Sequence, residues 1–179
     1  MTSLDLSILD FIQAHLQSGF MDWIMPYITT LGNHGYIWIG ITILFLCFKK
    51  TRKLGLAMAV GLLIQFIVIN PIIKPLVERP RPFTINTAHQ LLISAPEDFS
   101  FPSGHTGAGF AVVSALFFGK NRLWIPALIL ALLVSFSRMY LYVHYPSDIL
   151  VGALIGIASG WLACRLILKD DRRLILARR

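Results

Sequence analysis

Three polar clusters punctuate a chain that is otherwise strongly apolar. They read Lys74-Pro-Leu-Val-Glu-Arg-Pro-Arg81-Pro82, then Pro102-Ser103-Gly104-His105, then Ser137-Arg138 followed by His144 and Asp148. The cations Lys74, Arg79, Arg81 and Arg138 have only Glu78, Glu97, Asp98 and Asp148 near them in these segments, so they call for an anionic ligand. Arginine offers a planar fork of donors suited to phosphate oxygens, and lysine a compact point charge. Pro75, Pro80 and Pro82 bar a straight helix from Lys74 to Arg81, so the two must converge through a bent segment. Pro102-Ser-Gly-His opens a helix, where free N–H groups and the helix dipole favour an anion. Gly104 removes the side chain that would hold a phosphate away, Ser103 can donate its hydroxyl, and His105 in the first turn can act as a general acid. His144 and Asp148 stand four apart around the start of a later helix. A carboxylate on one ring nitrogen fixes the tautomer and frees the other nitrogen as a nucleophile. Together these residues could hold a phosphate and attack it with an imidazole. His15, His34 and His89 have no such partners in sequence and read as interfacial or loop residues.

The chain that must position them is a membrane protein by composition. It is 56% hydrophobic with only 14% charged residues, at a mean hydropathy of +0.69, whereas soluble domains carry roughly 25% charged residues. The 179 residues suffice for one domain, 1–179, and not for two of ordinary size. A net charge of +7 would suggest nucleic acid in a soluble chain. Here the basic residues gather in short loops and the C-terminal stretch, which fits membrane orientation and argues against a nucleic-acid partner. Cys47 and Cys164 lack metal-ligand spacing and read as small apolar fillers. The start, Met1-Thr-Ser-Leu-Asp5, lacks a basic n-region and a small-residue cleavage site, so no cleaved signal peptide is expected.

The spacing predicts an all-α, polytopic bundle. Residues 1–31 read as two amphipathic helices broken at Ser18-Gly19, with Leu4, Ile8, Phe11 and Ile12 on one face and Asp5 and Asp10 away from it. Whether they add a sixth crossing is left open by the pattern. Five clear spans follow: 36–48, short and borrowing from its flanks, then 54–73, 103–119, 123–142 and 147–168. Ser147 is a candidate N-cap for the last. Its Gly152, Gly156 and Gly160 form a small-residue stripe suited to close helix approach. The segment 75–102, with five prolines, is a loop long enough to be functional. Residues 169–179 form a basic tail.

Successive spans alternate sides, which puts the three clusters at one face. The opposite face carries Lys49, Lys50, Arg52, Lys53, Lys120, Arg122, Arg165, Lys169, Arg172, Arg173, Arg178 and Arg179, twelve basic residues against the four at the cluster face. The positive-inside rule then places the tail in the cytoplasm and the clusters outside the cell membrane.

The joint pattern resembles the three-part signature of the type 2 phosphatidic acid phosphatase superfamily, which includes membrane lipid phosphatases and the vanadium haloperoxidases. That signature is Lys, six residues, Arg-Pro; then Pro-Ser-Gly-His; then Ser-Arg, five residues, His, three residues, Asp. Lys74, Arg81-Pro82, Pro102-Ser103-Gly104-His105, Ser137-Arg138, His144 and Asp148 match every specified position. The resemblance implies a helical bundle of the kind found in small bacterial members. It implies that His144 forms a phosphohistidine, that Asp148 orients it, and that His105 protonates the leaving oxygen and then helps activate water. It further implies that Lys74, Arg81, Ser103, Gly104 and Arg138 hold the phosphoryl oxygens, with no metal or other cofactor; Ser137 is given no direct role. The expected partners are the bilayer and a lipid phosphate or diphosphate. Undecaprenyl diphosphate is the leading candidate, and phosphatidylglycerophosphate or phosphatidic acid the next. An anion-binding transporter without turnover is the reading from another class, and an oriented His144–Asp148 pair argues against it. A haloperoxidase would need vanadate and a soluble scaffold.

Overall fold

The computed structural model describes residues 2–169, so the expected basic tail lies outside them except for Lys169. All regular elements among the described residues are helical: α1 Thr2–Leu16, α2 Gly19–Gly32, α3 Tyr36–Cys47, α4 Arg52–Ile67, α5 Lys74–Val77, α6 Pro82–Ile85, α7 Gly104–Phe118, α8 Trp124–Tyr140 and α9 Pro146–Ile167. The chain is an integral membrane helical bundle. Three helical runs, Gly19–Cys47, Arg52–Ile85 and Pro146–Ile167, are long and apolar enough to cross a bilayer. α7 and α8, at 15 and 17 residues, are apolar but shorter than the roughly 20 residues of a full crossing. The short span expected over 36–48 does borrow from its flank: a 3-10 turn, Asn33–Gly35, joins α2 to α3 in one 29-residue run. That turn is kinked, with His34 at φ 49° and Gly35 at φ 73°.

Large apolar side chains such as Leu150, Leu154, Ile129 and Leu132 point outward, where lipid would lie, and small residues face inward. The glycine stripe of α9 packs directly on α7. A Cβ on Gly152 would stand 2.5 Å from the Ser103 carbonyl oxygen, on Gly156 2.4 Å from that of Gly107, and on Gly160 2.3 Å from that of Ala111. Only glycine permits this approach, and it brings the start of α7 beside the start of α9.

α4 continues through a π-helical turn, Val68–Ile73, into α5. Pro71 sits in that turn, which absorbs the proline's missing N–H and ring clash. Glu78, at φ 49°, ends α5, and Arg81 is extended just before Pro82 opens α6. The bend expected between Lys74 and Arg81 is therefore present.

Two local expectations are corrected. α9 starts at Pro146 with Tyr145 as its N-cap, not Ser147, because proline is well suited to the first helical position. On α1 Ile12, grouped above with Leu4, Ile8 and Phe11, is instead buried with Asp5 and Leu9, while those three point outward. A lipid-facing helix keeps its apolar stripe outside, and its aspartate finds an arginine within the protein.

Candidate active site

The site is built from four helix starts, one helix end and one turn. Lys74 lies on α5, Arg81 just before α6, Ser103 to His105 at the start of α7, Arg138 in the last turn of α8, His144 in the turn after it, and Asp148 in the first turn of α9. The structure brings these predicted residues to one end of the bundle. Lys74, Arg81, Gly104, His105, Arg138 and His144 line one cavity of about 1270 Å³. Ser103 and Asp148 are fully buried and do not line it.

Asp148 holds His144 as the four-residue spacing suggested. Its Oδ2 lies 3.3 Å from His144 Nδ1 and accepts the Tyr145 backbone N–H at 3.0 Å, part of a capping box at the helix start. The same oxygen accepts the Ser100 hydroxyl, and Oδ1 accepts Arg79 at 2.6 Å. With Nδ1–H donated to the carboxylate, Nε2 keeps its lone pair; it lies 3.3 Å from an Arg81 nitrogen. Burial, with Arg81, Arg138 and Lys74 nearby, pushes the His144 imidazole well below its ordinary value, so the neutral ring is favoured.

Ser103 caps α7: its Oγ accepts the Thr106 N–H at 3.4 Å and the Thr106 hydroxyl at 3.1 Å. Its backbone N–H donates to the Asp148 carbonyl at 3.1 Å, tying the two helix starts together. Behind Gly104, the helix dipole and free N–H groups favour negative charge. His105 Nε2 lies 3.0 Å from Asn33 Oδ1. Arg138 donates to the Thr29 hydroxyl at 2.8 Å, and its buried Nε–H has no protein partner.

The loop contributes a residue that its sequence did not mark. Asp98 pairs with Lys74 and, at 2.5 Å, with Arg81, whose Nε also donates to the Asp98 carbonyl at 2.8 Å. Burial alone would raise the Asp98 carboxyl, but Lys74 and Arg81 pull it down to about 2. A carboxylate therefore sits where an anionic ligand would be expected. Arg79 was legible only as a flanking charge, yet it binds the site aspartate directly. Ser100, Asn33 and Thr29 carried no signal, because each partnership depends on contact between distant parts of the chain. His89, read as partnerless, lies 3.6 Å from Asp10. Cys164 is buried as expected, while Cys47 is exposed.

From the site the cavity runs between α3 and α4, where Ile39, Ile43, Leu46, Leu62, Leu63 and Phe66 line it. One end is thus cationic with His105 and His144, and the stretch between α3 and α4 is lined mainly by apolar side chains, with Thr42 and Gln65 among them. A membrane-embedded helical bundle with such a cavity belongs to the class that handles an amphiphile with an anionic head.

The comparisons with known proteins agree. The PAP2 superfamily model matches residues 50–172. The undecaprenyl-diphosphatase of Sulfolobus acidocaldarius is 37% identical over 145 residues, covering 78% of this chain and 68% of that protein. The undecaprenyl-diphosphatase BcrC of Bacillus subtilis is 34% identical over 149 residues, covering 81% and 74%. The crystal structure of a transmembrane PAP2-type phosphatidylglycerolphosphate phosphatase from Bacillus subtilis superposes with a TM-score of 0.76 at 27% identity, covering 94% of this chain and 86% of that one. The chain belongs to the PAP2 superfamily and is a membrane lipid phosphatase.

Proposed function

We propose that this phosphatase hydrolyses a polyprenyl diphosphate, with undecaprenyl diphosphate the leading candidate, at the extracytoplasmic face of a bacterial cell membrane. The observation that carries this reading is the single cavity in which His144, His105 and three cations meet an apolar groove between α3 and α4. A phosphate head fits the first end and an isoprenoid tail the second. The two undecaprenyl-diphosphatase relatives support the choice of lipid. The excess of basic residues at the opposite face supports the orientation, with the C-terminus in the cytoplasm.

In the proposed mechanism His144 Nε2 attacks the terminal phosphorus. An N–P bond forms as the P–O bond to the leaving lipid phosphate breaks. Asp148 accepts the Nδ1 hydrogen and stabilises the developing imidazolium. His105 gives its proton to the leaving oxygen. It then takes a proton from water, whose oxygen bonds to phosphorus as the N–P bond breaks, releasing inorganic phosphate and free His144. Lys74, Arg81 and Arg138, with the α7 N-terminus at Ser103 and Gly104, stabilise charge on the transferring phosphoryl group. Substrate displaces Asp98 from Lys74 and Arg81.

The test is phosphate release by the detergent-purified protein, with EDTA present, from undecaprenyl diphosphate, phosphatidylglycerophosphate and phosphatidic acid. Fastest release from the diphosphate, abolished in His144→Ala, supports the proposal. The fold of the Bacillus subtilis structure favours phosphatidylglycerophosphate as a second reading. Preference for that lipid would replace the first.

A further inference from the structure

The N-terminal helices lie outside the stretch that the PAP2 family model matches, residues 50–172, yet they touch the site at three separate points. Asp5 of α1 is only 5% exposed. It accepts from Arg79 at 2.7 Å, from the Ser147 backbone N–H at 3.1 Å and from the Ser147 hydroxyl at 2.7 Å. Arg79 reaches onward to Asp148, its guanidinium carbon 3.8 Å from the centre of the Tyr145 ring. Thr29 of α2 accepts from Arg138, and Asn33 in the kinked turn meets His105. A phosphate-site cation and the second histidine therefore each have a direct partner in this N-terminal unit, and the nucleophile's carboxylate is reached from it through Arg79.

The unit is docked by polar bonds as well as packing. The Tyr142 hydroxyl donates to Asp10 and the Tyr140 hydroxyl to Asp22, both at 2.6 Å, and Gln13 donates to the Tyr140 carbonyl at 2.6 Å. Asp5 is buried, and the more exposed Asp10 and Asp22 reach back to these tyrosines, while Leu4, Phe11, Phe20 and Trp23 turn outward. The approach is close: a Cβ on Gly32 would lie 3.0 Å from the His105 ring and 2.7 Å from Val134.

Each contact has a defined chemical consequence. A side-chain amide oxygen only accepts, so His105 Nε2 must carry a hydrogen. The proton available to a leaving oxygen is then on Nδ1, and Asn33 stabilises the charged ring that delivers it. Asp5 shares the Arg79 charge with Asp148. Without it, the full guanidinium charge would bear on the carboxylate and weaken its support of His144. Thr29 fixes one arm of Arg138 and leaves the unpartnered Nε–H for a phosphoryl oxygen.

We infer that α1 and α2 form the positioning layer of the phosphatase site, with Asp5 acting on Asp148 through Arg79, Thr29 on Arg138, and Asn33 on His105. This rests on the reading of His144 as nucleophile and His105 as acid.

The experiment compares wild type with Asp5→Asn, Thr29→Val and Asn33→Ala on two substrates, phosphatidic acid and p-nitrophenyl phosphate, with orthovanadate inhibition as the measure of anion binding. His144→Ala runs alongside: turnover surviving in it overturns the underlying mechanism separately from this inference. The alkyl ester needs a proton on its leaving oxygen and the nitrophenolate does not, so Asn33→Ala is expected to lose about tenfold or more on the lipid and less than about threefold on the aryl ester. Asn33→Asp keeps the acceptor and is expected to restore the lipid rate. If the alanine protein does not fold, Asn33→Ser carries the same comparison. Asp5→Asn is expected to lower kcat on both substrates with vanadate affinity unchanged, and Thr29→Val to weaken vanadate inhibition. Equal losses on the two substrates for Asn33→Ala, or wild-type kinetics in Asp5→Asn and Thr29→Val, would overturn the inference and leave the N-terminal pair as a structural brace.

Discussion

His144 is governed by one carboxylate and by the buried, cationic surroundings. Asp148 orients its Nδ1, while burial and the surrounding cations favour the neutral ring that a nucleophile requires. Arg81, Arg138, Lys74, Asp98 and Asp148 are the charged groups around it. A lowered pKa means that the neutral form persists as pH falls, so the acid limb of kcat/KM is expected well below 6.5, the imidazole's ordinary value. A pH–rate profile places that limb, and a limb at or above the ordinary value would contradict the assignment of His144. Asp98 supplies the second prediction. Each of its ion pairs, partly exposed, contributes at most about 1 kcal/mol, so freeing Lys74 and Arg81 with Asp98→Asn should tighten vanadate inhibition by about threefold to tenfold. Weaker inhibition would instead make Asp98 a support for those cations. The motif residues were legible because phosphate chemistry needs particular types at particular spacings. Asp98, Arg79 and Asn33 were not, because a carboxylate in a loop, a flanking arginine and an asparagine in a turn acquire meaning only through partners far away in sequence.

Among the elements, the pairing of α7 with α9 sets the distance between His105 and His144. The glycine stripe was readable as a four-residue repeat, and its partner helix was not. Gly156→Leu would drive a side chain into the Gly107 carbonyl, and overpacking of this kind costs about 1–3 kcal/mol. Thermal unfolding in detergent should show that loss, and kcat should fall as the two helix starts separate. Gly19→Ala, with nothing within 4 Å of the new Cβ, is the neutral control. An unaffected Gly156→Leu protein would show that the close approach does not position the site. The helices themselves were legible from apolar runs, and on α1 Leu4, Ile8 and Phe11 do share a face. Ile12, at the edge of that stripe, turns inward beside Asp5 instead, since periodicity alone does not fix where a face ends. The Pro146 start of α9 was similarly missed because Ser147 offered a better-known cap than Tyr145.

For the molecule as a whole, one cavity joins the cationic cluster to a groove between α3 and α4. Ala59 lines that groove on α4. In the proposed reading Ala59→Trp raises KM for undecaprenyl diphosphate about tenfold, the loss of several buried methylenes at about 0.8 kcal/mol each being enough for that change. The same substitution should leave p-nitrophenyl phosphate hydrolysis unchanged. Steady-state kinetics on the two substrates check this, and equal effects would remove the groove from the account of tail binding. The most direct measurement is of the covalent step. The enzyme is mixed with 32P-labelled lipid phosphate, quenched in alkali within milliseconds and mapped by mass spectrometry. The mechanism expects an acid-labile, alkali-stable phosphoryl group on His144, absent from His144→Ala. Turnover with no labelled protein under conditions that trap a phosphohistidine, or label on another residue, would contradict it.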